Sequence, residues 1–170
     1  MNKQFLLNNI IKEMKIISRL STKTPTDQLD FRPKEGMRSS LELLQYLSFS
    51  GAGIISYWYR TDDSDFKTYF SGLRNHAQSI NQSNFISEMD SQIVLVQELF
   101  KNISENELLT KEVDYPWGEK GFLGEAIIAT SIKWLTAYKM QLFVNLKLSS
   151  LEKFSTPDLW RTTELVQSAT

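Results

Sequence analysis

Residues 134–143 read Trp-Leu-Thr-Ala-Tyr-Lys-Met-Gln-Leu-Phe, and they lie inside the longest apolar-periodic segment of the chain, from about Phe122 to Leu148. Apolar side chains recur there every three or four residues, as they do along one face of an amphipathic helix. Two adjacent stripes result: Ile128, Ile132, Leu135, Leu142 and Leu146 in one, and Ile127, Ser131, Trp134, Tyr138 and Gln141 in the other. The segment predicts a long core helix near the C-terminus.

Three further segments have the same periodicity: 3–20, about 37–60, and 85–102. Ser39 with Glu42 three residues later predicts a capping box at the start of the second segment. A shorter helix is expected over 66–79, and residues 111–118 (Lys-Glu-Val-Asp-Tyr-Pro-Trp-Gly) predict an extended or hairpin segment. The fold class that follows is all-α: a four-helix bundle with an extra short helix and a short extended segment before the last long helix.

The composition is that of an ordinary globular domain, with 41% hydrophobic and 23% charged residues among 170. We expect one domain over residues 1–160 and a polar C-terminal tail over 161–170. The net charge of −1 gives no reason to expect nucleic acid or a membrane surface as a partner. The chain has no cysteine, which excludes disulfides and thiolate chemistry. Without a signal-peptide pattern or a long apolar run, we expect a cytoplasmic protein.

The residue types that usually carry catalysis are sparse. The one histidine, His76, cannot build a histidine-based zinc site alone, and a surface or packing role is the simpler interpretation. Several glutamates are present, but the Glu-x-x-His motif of di-metal bundles is not. The remaining candidates are aromatic: Tyr46, Tyr57, Trp58, Trp117, Trp134 and Tyr138. Two interpretations stay open for them, the walls of an apolar ligand pocket or ordinary core packing.

Two stretches resemble sequences of the DinB-like superfamily. Residues 31–48 (Phe-Arg-Pro-Lys-Glu-Gly-Met-Arg-Ser-Ser-Leu-Glu-Leu-Leu-Gln-Tyr-Leu-Ser) resemble its second helix, where a Pro-containing approach leads into a Trp-Ser-x-x-Glu-Leu-Leu-x-His-Leu type pattern. Residues 134–141 correspond to its last-helix pattern His-x-x-x-His-Arg-Gly-Gln, and Pro116-Trp117-Gly118 resembles the approach to that helix. The resemblance covers about residues 1–160 and implies an up-down-down-up four-helix bundle.

The resemblance also implies a place for a metal site. Many members bind a divalent metal through three histidines, and some are thiol-dependent transferases or hydrolase-like enzymes. Matched residue by residue, the histidines fall on Tyr46, Trp134 and Tyr138. Neutral tyrosine is a poor ligand for zinc or nickel, and tryptophan is not a ligand. The chain therefore resembles a divergent member with a degenerate metal site, and we expect no metal and no other cofactor.

Three functions remain open. The first is a metal-free protein of the DinB type whose former metal site is a pocket for a small apolar or amphipathic ligand. Its candidate lining residues are Tyr46, Trp134, Tyr138, Gln141, Trp58 and Glu42. The second is an enzyme with relocated acid/base chemistry at Tyr46 or Tyr138, which requires a lowered tyrosine pKa. Its supporting residues would be Gln45, Glu42 and Lys133. The third is a structural or regulatory homodimer that buries aromatic side chains at its interface.

Overall fold

Helices make up most of residues 2–150 and 153–163, the part of the chain that this computed structural model describes. The α-helices are α1 (Lys3–Thr22), α2 (Ser40–Ser50), α3 (Gly53–Trp58), α4 (Phe66–Ala77), α5 (Gln82–Asn102), α6 (Glu105–Thr110), α7 (Leu123–Ile127) and α8 (Lys133–Ser149). Strands β1 (Glu112–Asp114) and β2 (Lys120–Phe122) form an antiparallel hairpin, one of the two forms that the sequence left open, with Val113 opposite Gly121. Short 3-10 turns cover Thr26–Gln28 and Thr156–Leu159.

Helices α1, α2, α5 and α8 form the bundle, and contacts at their ends fix two antiparallel pairs. Gln82 begins α5 and donates from Nε2 to the carbonyl oxygen of Ser21 at 3.2 Å, near the end of α1. Asn145, late in α8, places Nδ2 at 3.5 Å from the carbonyl oxygen of Arg38, just before α2. Each of these helix pairs therefore runs antiparallel.

Helices α1 and α8 run parallel. Their middles meet where Nζ of Lys139 lies 2.7 Å from Oε2 of Glu13. Their last residues, Thr22 and Ser149, line the same cavity at one end of the bundle. Together with the two antiparallel pairs, this gives the up-down-down-up order. The all-α bundle predicted from the sequence is confirmed.

The bundle core is apolar. Its fully buried side chains include Leu6, Ile10, Met14, Ile17 and Leu20 of α1, Leu43, Leu44 and Leu47 of α2, Phe85, Met89 and Val96 of α5, and Leu135, Leu142 and Leu146 of α8. These positions repeat at helical spacing, so burying them removes one apolar face of each helix from water. No helix in the described residues is long and apolar enough to cross a membrane.

Helix α2 ends at the small residues 50–53, a stretch that the sequence marks as either a kink or a point of close approach for a neighbouring helix. The periodicity extends to residue 60, but the helix stops at Ser50 and the short α3 follows. Gly51 lies at this break, where a Cβ atom would come within 2.9 Å of Sδ of Met14. Because no other residue type lacks a Cβ, glycine lets α1 pack closely at this point. The chain then turns through α3 and brings α4 against α2.

The last helix contains an insertion that the sequence pattern does not indicate. A π-helical turn, Ile128–Ile132, separates α7 from α8. The wider turn changes the helical register ahead of it, so Ile128 is 36% exposed instead of buried in one stripe with Leu135. Thr130 stabilises the turn by donating from Oγ1 to the carbonyl oxygen of Ala126 at 2.6 Å. Such turns often lie next to functional residues.

The C-terminal 3-10 turn packs onto the bundle. Leu159 is buried, and the ring of Phe154 contacts that of Phe143 at a centroid distance of 6.2 Å. Arg161, the first residue of the predicted tail, accepts a hydrogen bond at its carbonyl oxygen from Nε of Arg19 at 3.1 Å. Residues 164–170 of that tail lie outside the described residues. The proposed domain boundaries stay a prediction.

Candidate functional site

Helices α2 and α8 bring together two of the three positions that match metal ligands in the resemblance. The rings of Tyr46 and Tyr138 lie with their centroids 4.4 Å apart and their planes tilted by 58°. Both side chains are half-buried. This distance is within the range of attractive aromatic pairs, so each ring helps to fix the position of the other.

The third position, Trp134, reaches this pair through two phenylalanines. Tyr46 contacts Phe49 at a centroid distance of 5.2 Å, and Phe49 contacts Phe70 at 6.3 Å. Phe70 in turn meets the Trp134 ring edge to face at 6.4 Å. Both phenylalanines are 5% exposed. A continuous cluster of rings therefore connects the three positions on the side facing the core.

Arg38 covers the tyrosine pair on its outer side. Its guanidinium carbon lies 4.7 Å from the centroid of the Tyr46 ring and 4.9 Å from that of Tyr138. Within the described part of the chain, no hydrogen bond or ion pair engages the guanidinium. A cation stacked on two rings is attracted by their quadrupoles and loses little conformational freedom when a further group binds it.

A cleft of about 420 Å³ opens beside Tyr46, between α2 and α4. Its lining residues are Arg38, Glu42, Gln45, Tyr46, Phe49, Arg74, Ala77 and Gln78. The volume is in the range of clefts that bind small molecules. The packing of α4 against α2 creates this space, because α4 supplies Arg74 and Ala77 to the wall opposite Tyr46.

Glu42 lines the cleft, but its carboxylate already accepts hydrogen bonds from two other residues. Arg32 grips it with two hydrogen bonds of 2.5 and 2.6 Å. The same carboxylate completes the predicted capping box by accepting from the backbone N–H of Ser39 at 2.9 Å. The hydrogen bonds from Arg32 lower the pKa of Glu42 to about 2. Such a carboxylate is a weak base at neutral pH.

Tyr46 holds its proton tightly. Burial raises the pKa of its phenol to about 12, and the neighbouring Tyr138 adds to the rise. The guanidinium of Arg38 acts in the opposite direction, and so does that of Arg74. Desolvation outweighs both cations, so the phenol is neutral at physiological pH.

The other predicted lining residues lie in different surroundings. Trp58 turns to the hairpin, where its indole N–H donates to the carbonyl oxygen of Asp114 at 3.0 Å, and it is not among the residues that line the cleft. Gln141 is half-buried on α8, three residues beyond Tyr138. Lys133 is exposed at the start of α8.

The sequence interpretation missed the two arginines. Arg38 stands eight residues before Tyr46 inside the stretch that carries the resemblance, but it precedes the Ser39 cap of α2, so no helical periodicity indicates that it reaches the Tyr46 ring. Arg74 belongs to α4, and nothing in the local sequence indicates that this helix crosses α2. Its role depends on tertiary packing.

The described residues offer no alternative metal centre. In residues 2–150 and 153–163, no group of three histidine, cysteine, aspartate or glutamate side chains is placed to hold a metal ion. His76 lies on the surface, with Nε2 3.3 Å from Oε2 of Glu88. One histidine and one carboxylate at an exposed position do not make a closed coordination sphere.

The residues at the matched positions do not fit a divalent metal. Two phenols and an indole replace three imidazoles, and the Tyr46 phenol resists deprotonation. Arg38 places a positive charge directly over Tyr46 and Tyr138, where a bound cation would be repelled. The chemistry of this donor set therefore disfavours the metal centre that the resemblance implies.

Comparisons with known proteins bear on the fold. No family model and no curated protein matches the chain. Among solved structures, a DinB-like protein, YjoA from Bacillus subtilis, matches 88% of this chain and 95% of its own, with a TM-score of 0.61 and 13% sequence identity. A likeness at this identity shows the fold and not the activity. The chain thus has the DinB-like fold that its sequence resemblance implies.

Proposed function

We propose that this protein binds a small molecule, without a metal ion, in the cleft beside Tyr46. The observation that carries the proposal is the Arg38 guanidinium stacked at 4.7 and 4.9 Å over Tyr46 and Tyr138, at the edge of a cleft of about 420 Å³. A half-buried cation on an aromatic floor is a preorganised recognition group. The half-buried ring of Tyr46, with Phe49 and Ala77 packed behind it, gives the cleft an apolar side suited to an amphipathic ligand.

The proposal is favoured over an enzyme with relocated acid/base chemistry. That alternative requires a phenol or a carboxylate whose pKa lies near neutrality. Burial instead raises the pKa of Tyr46 to about 12, and Arg32 holds the pKa of Glu42 at about 2. Neither group exchanges a proton readily at neutral pH.

A blocking variant tests the proposal. Gln78 is exposed and lines the cleft, so Gln78→Trp places an indole there without changing the core. Ser87→Trp, on the exposed face of α5, adds the same ring elsewhere. We expect small amphipathic fragments that bind the wild type in ligand-observed NMR to lose binding in Gln78→Trp and keep it in Ser87→Trp. Fragment binding that is unaffected by Gln78→Trp, or no binding at all, would contradict the proposal.

A homodimer is the second candidate, and one surface favours it. Met140, Val144 and Leu148 lie four residues apart on α8 with 43%, 38% and 61% of their surface exposed. Two copies of one apolar stripe can pack against each other about a twofold axis. Sedimentation at micromolar concentration tests this: a dimer that Val144→Glu dissociates supports it, and a wild-type monomer removes it.

A further inference from the structure

The charges that line the cleft are unbalanced. Arg38 and Arg74 contribute two guanidiniums, and Glu42 contributes one carboxylate. That carboxylate is already engaged by Arg32 through two short hydrogen bonds. In the described residues, no carboxylate lies within ion-pair distance of Arg38 or Arg74. Two guanidiniums therefore line one cleft without a direct ion pair to a described carboxylate, although Arg38 lies near enough to Glu42 to help lower the pKa of its carboxyl.

The two guanidiniums are presented differently. Contact with the rings of Tyr46 and Tyr138 restricts the guanidinium of Arg38, and its N–H groups have no acceptor among the described residues. Arg74 comes from the opposite wall on α4 and donates one hydrogen bond from Nη2 to Oγ of Ser71 at 3.1 Å. Its remaining N–H groups have no protein acceptor in the described part of the chain. Arg38 is thus a fixed donor, and Arg74 is an adjustable one.

Both cations act at the same point inside the cleft. Each of them favours the ionised form of the Tyr46 hydroxyl, although burial keeps that phenol neutral. The Tyr46 phenol would have to lose its proton in a buried position before the two cations could attract it fully. A ligand that is already negatively charged when it enters the cleft avoids this cost. It would gain the attraction of Arg38 and Arg74 and could accept a hydrogen bond from the Tyr46 O–H.

Beside the amides of Gln45 and Gln78, the cleft has an apolar side formed by the ring of Tyr46 with Phe49 and Ala77 behind it. The ring of Phe49 and the methyl group of Ala77 lie almost fully buried behind the charged groups. An inorganic anion would leave the half-buried ring of Tyr46 in contact with water. A flat apolar body attached to the anionic group would cover it and add hydrophobic stabilisation.

We propose that the ligand of this cleft is a small organic carboxylate, held by Arg38 and Arg74, whose apolar body lies on Tyr46, Phe49 and Ala77. This inference rests on the proposed function and specifies its ligand class. The carboxylate matches the planar donor edge of arginine, and the volume of about 420 Å³ limits the ligand to a small molecule.

Benzoate, benzamide and inorganic phosphate separate the contribution of the negative charge to binding from that of the apolar body. The 170-residue chain, labelled with ¹⁵N, is titrated with each probe while the Nε–H signal of Arg38 and the amide signal of Ala77 are followed. Benzoate is expected to shift both signals saturably. Benzamide has the same shape without the charge, and phosphate has charge without an apolar body. Each is expected to bind at least about tenfold more weakly, the factor that one charge-assisted hydrogen bond supplies.

Arginine variants complete the test. Arg74 is exposed, so Arg74→Gln is expected to fold normally and to weaken benzoate binding about tenfold. Arg38→Lys keeps the charge but loses the planar fork, and the same loss is expected. Lys67→Gln removes a positive charge from an exposed position on the same helix, α4, and should leave the affinity unchanged.

The outcomes distinguish the two levels of the proposal. If benzamide binds as tightly as benzoate and Arg74→Gln has no effect, the carboxylate inference fails while the ligand cleft stands. If phosphate binds as tightly as benzoate, the requirement for an apolar body fails. If no probe shifts the NMR signals of Arg38 or Ala77, and Gln78→Trp does not abolish the binding of any fragment, both the inference and the proposed function are wrong.

Discussion

Glu13→Gln is expected to destabilise the bundle, because it removes the ion-pair partner of Lys139, a buried lysine on α8. Lys139 has a fully buried side chain, with Nζ 2.7 Å from Oε2 of Glu13. The ring of Trp160 lies 4.5 Å from the same ammonium. No other oxygen of the described residues accepts a hydrogen bond from it. Removing the glutamate charge therefore leaves a buried cation with only an aromatic ring for compensation.

The expected loss of stability is large and asymmetric. Removing one partner of a buried ion pair typically costs about 3–5 kcal/mol. In a chain of this length, that corresponds to a fall in Tm of roughly 6–20 °C. Lys139→Met should cost less, because the Glu13 side chain is 14% exposed whereas that of Lys139 is fully buried. The double variant, which has neither charge, should be more stable than Glu13→Gln alone.

Urea unfolding and calorimetry of the three variants measure these differences. Glu98→Gln is the matched control, because Glu98 pairs with Lys101 at 2.6 Å while both side chains are more than half exposed. We expect a change below about 1 kcal/mol for this control. The reasoning is refuted if Glu13→Gln costs no more than Glu98→Gln, or if Lys139→Met fails to rescue it.

Three further perturbations probe the site and its approach. Burial raises the pKa of Tyr46 from 10.0 to about 12, so the stability that its neutral phenol contributes is lost between pH 10 and 12. Tyr46→Phe should remove a phenol of that pKa from an ultraviolet titration. Arg32 lowers the pKa of Glu42 from 4.5 to about 2, so Glu42→Gln should flatten the loss of stability as pH falls through that interval. Gly36→Ala should cost about 1 kcal/mol in urea unfolding, since φ there is +81°.

Each of these has a contradicting result. A difference titration between wild type and Tyr46→Phe with its midpoint near pH 10 would show that the phenol is solvated. If the stability of Glu42→Gln falls with decreasing pH in the same way as that of the nearby Glu35→Gln, the Arg32–Glu42 pair contributes nothing to the pH dependence of stability. For Gly36→Ala the control is Gly72→Ala on α4, which meets no atom within 4 Å and should be neutral or stabilising. Equal changes in the free energy of unfolding for the two variants would contradict the expected backbone strain at position 36.

Features that depend on local chemistry were predictable from the sequence. The Ser39–Glu42 capping box forms because both partners lie within one helical turn. The hairpin after residue 111 forms with Gly118 in its turn at φ +91°. The fold itself was predictable because the apolar stripes and the two stretches of resemblance agree.

Features that depend on packing between elements far apart in the sequence could not be predicted from the sequence. The π-helical turn at Ile128–Ile132 has no breaker residue to indicate it, and it changes which side chains face the core. The direction of Trp58 is set by the carbonyl of Asp114, 56 residues away. Arg38 and Arg74 meet at one cleft only because α4 crosses α2. A periodic pattern predicts which face of a helix is buried and not which helix covers it.

Metal content measures most directly whether the matched positions still form a metal centre. The purified 170-residue chain is dialysed against zinc or nickel, washed free of loosely held ion, and analysed for bound metal, with His76→Ala as the control for the exposed histidine. The aromatic and guanidinium cluster at Tyr46, Trp134 and Tyr138 predicts no stoichiometric metal in either protein. One equivalent of metal that persists in His76→Ala and is lost in Tyr46→Phe would contradict it.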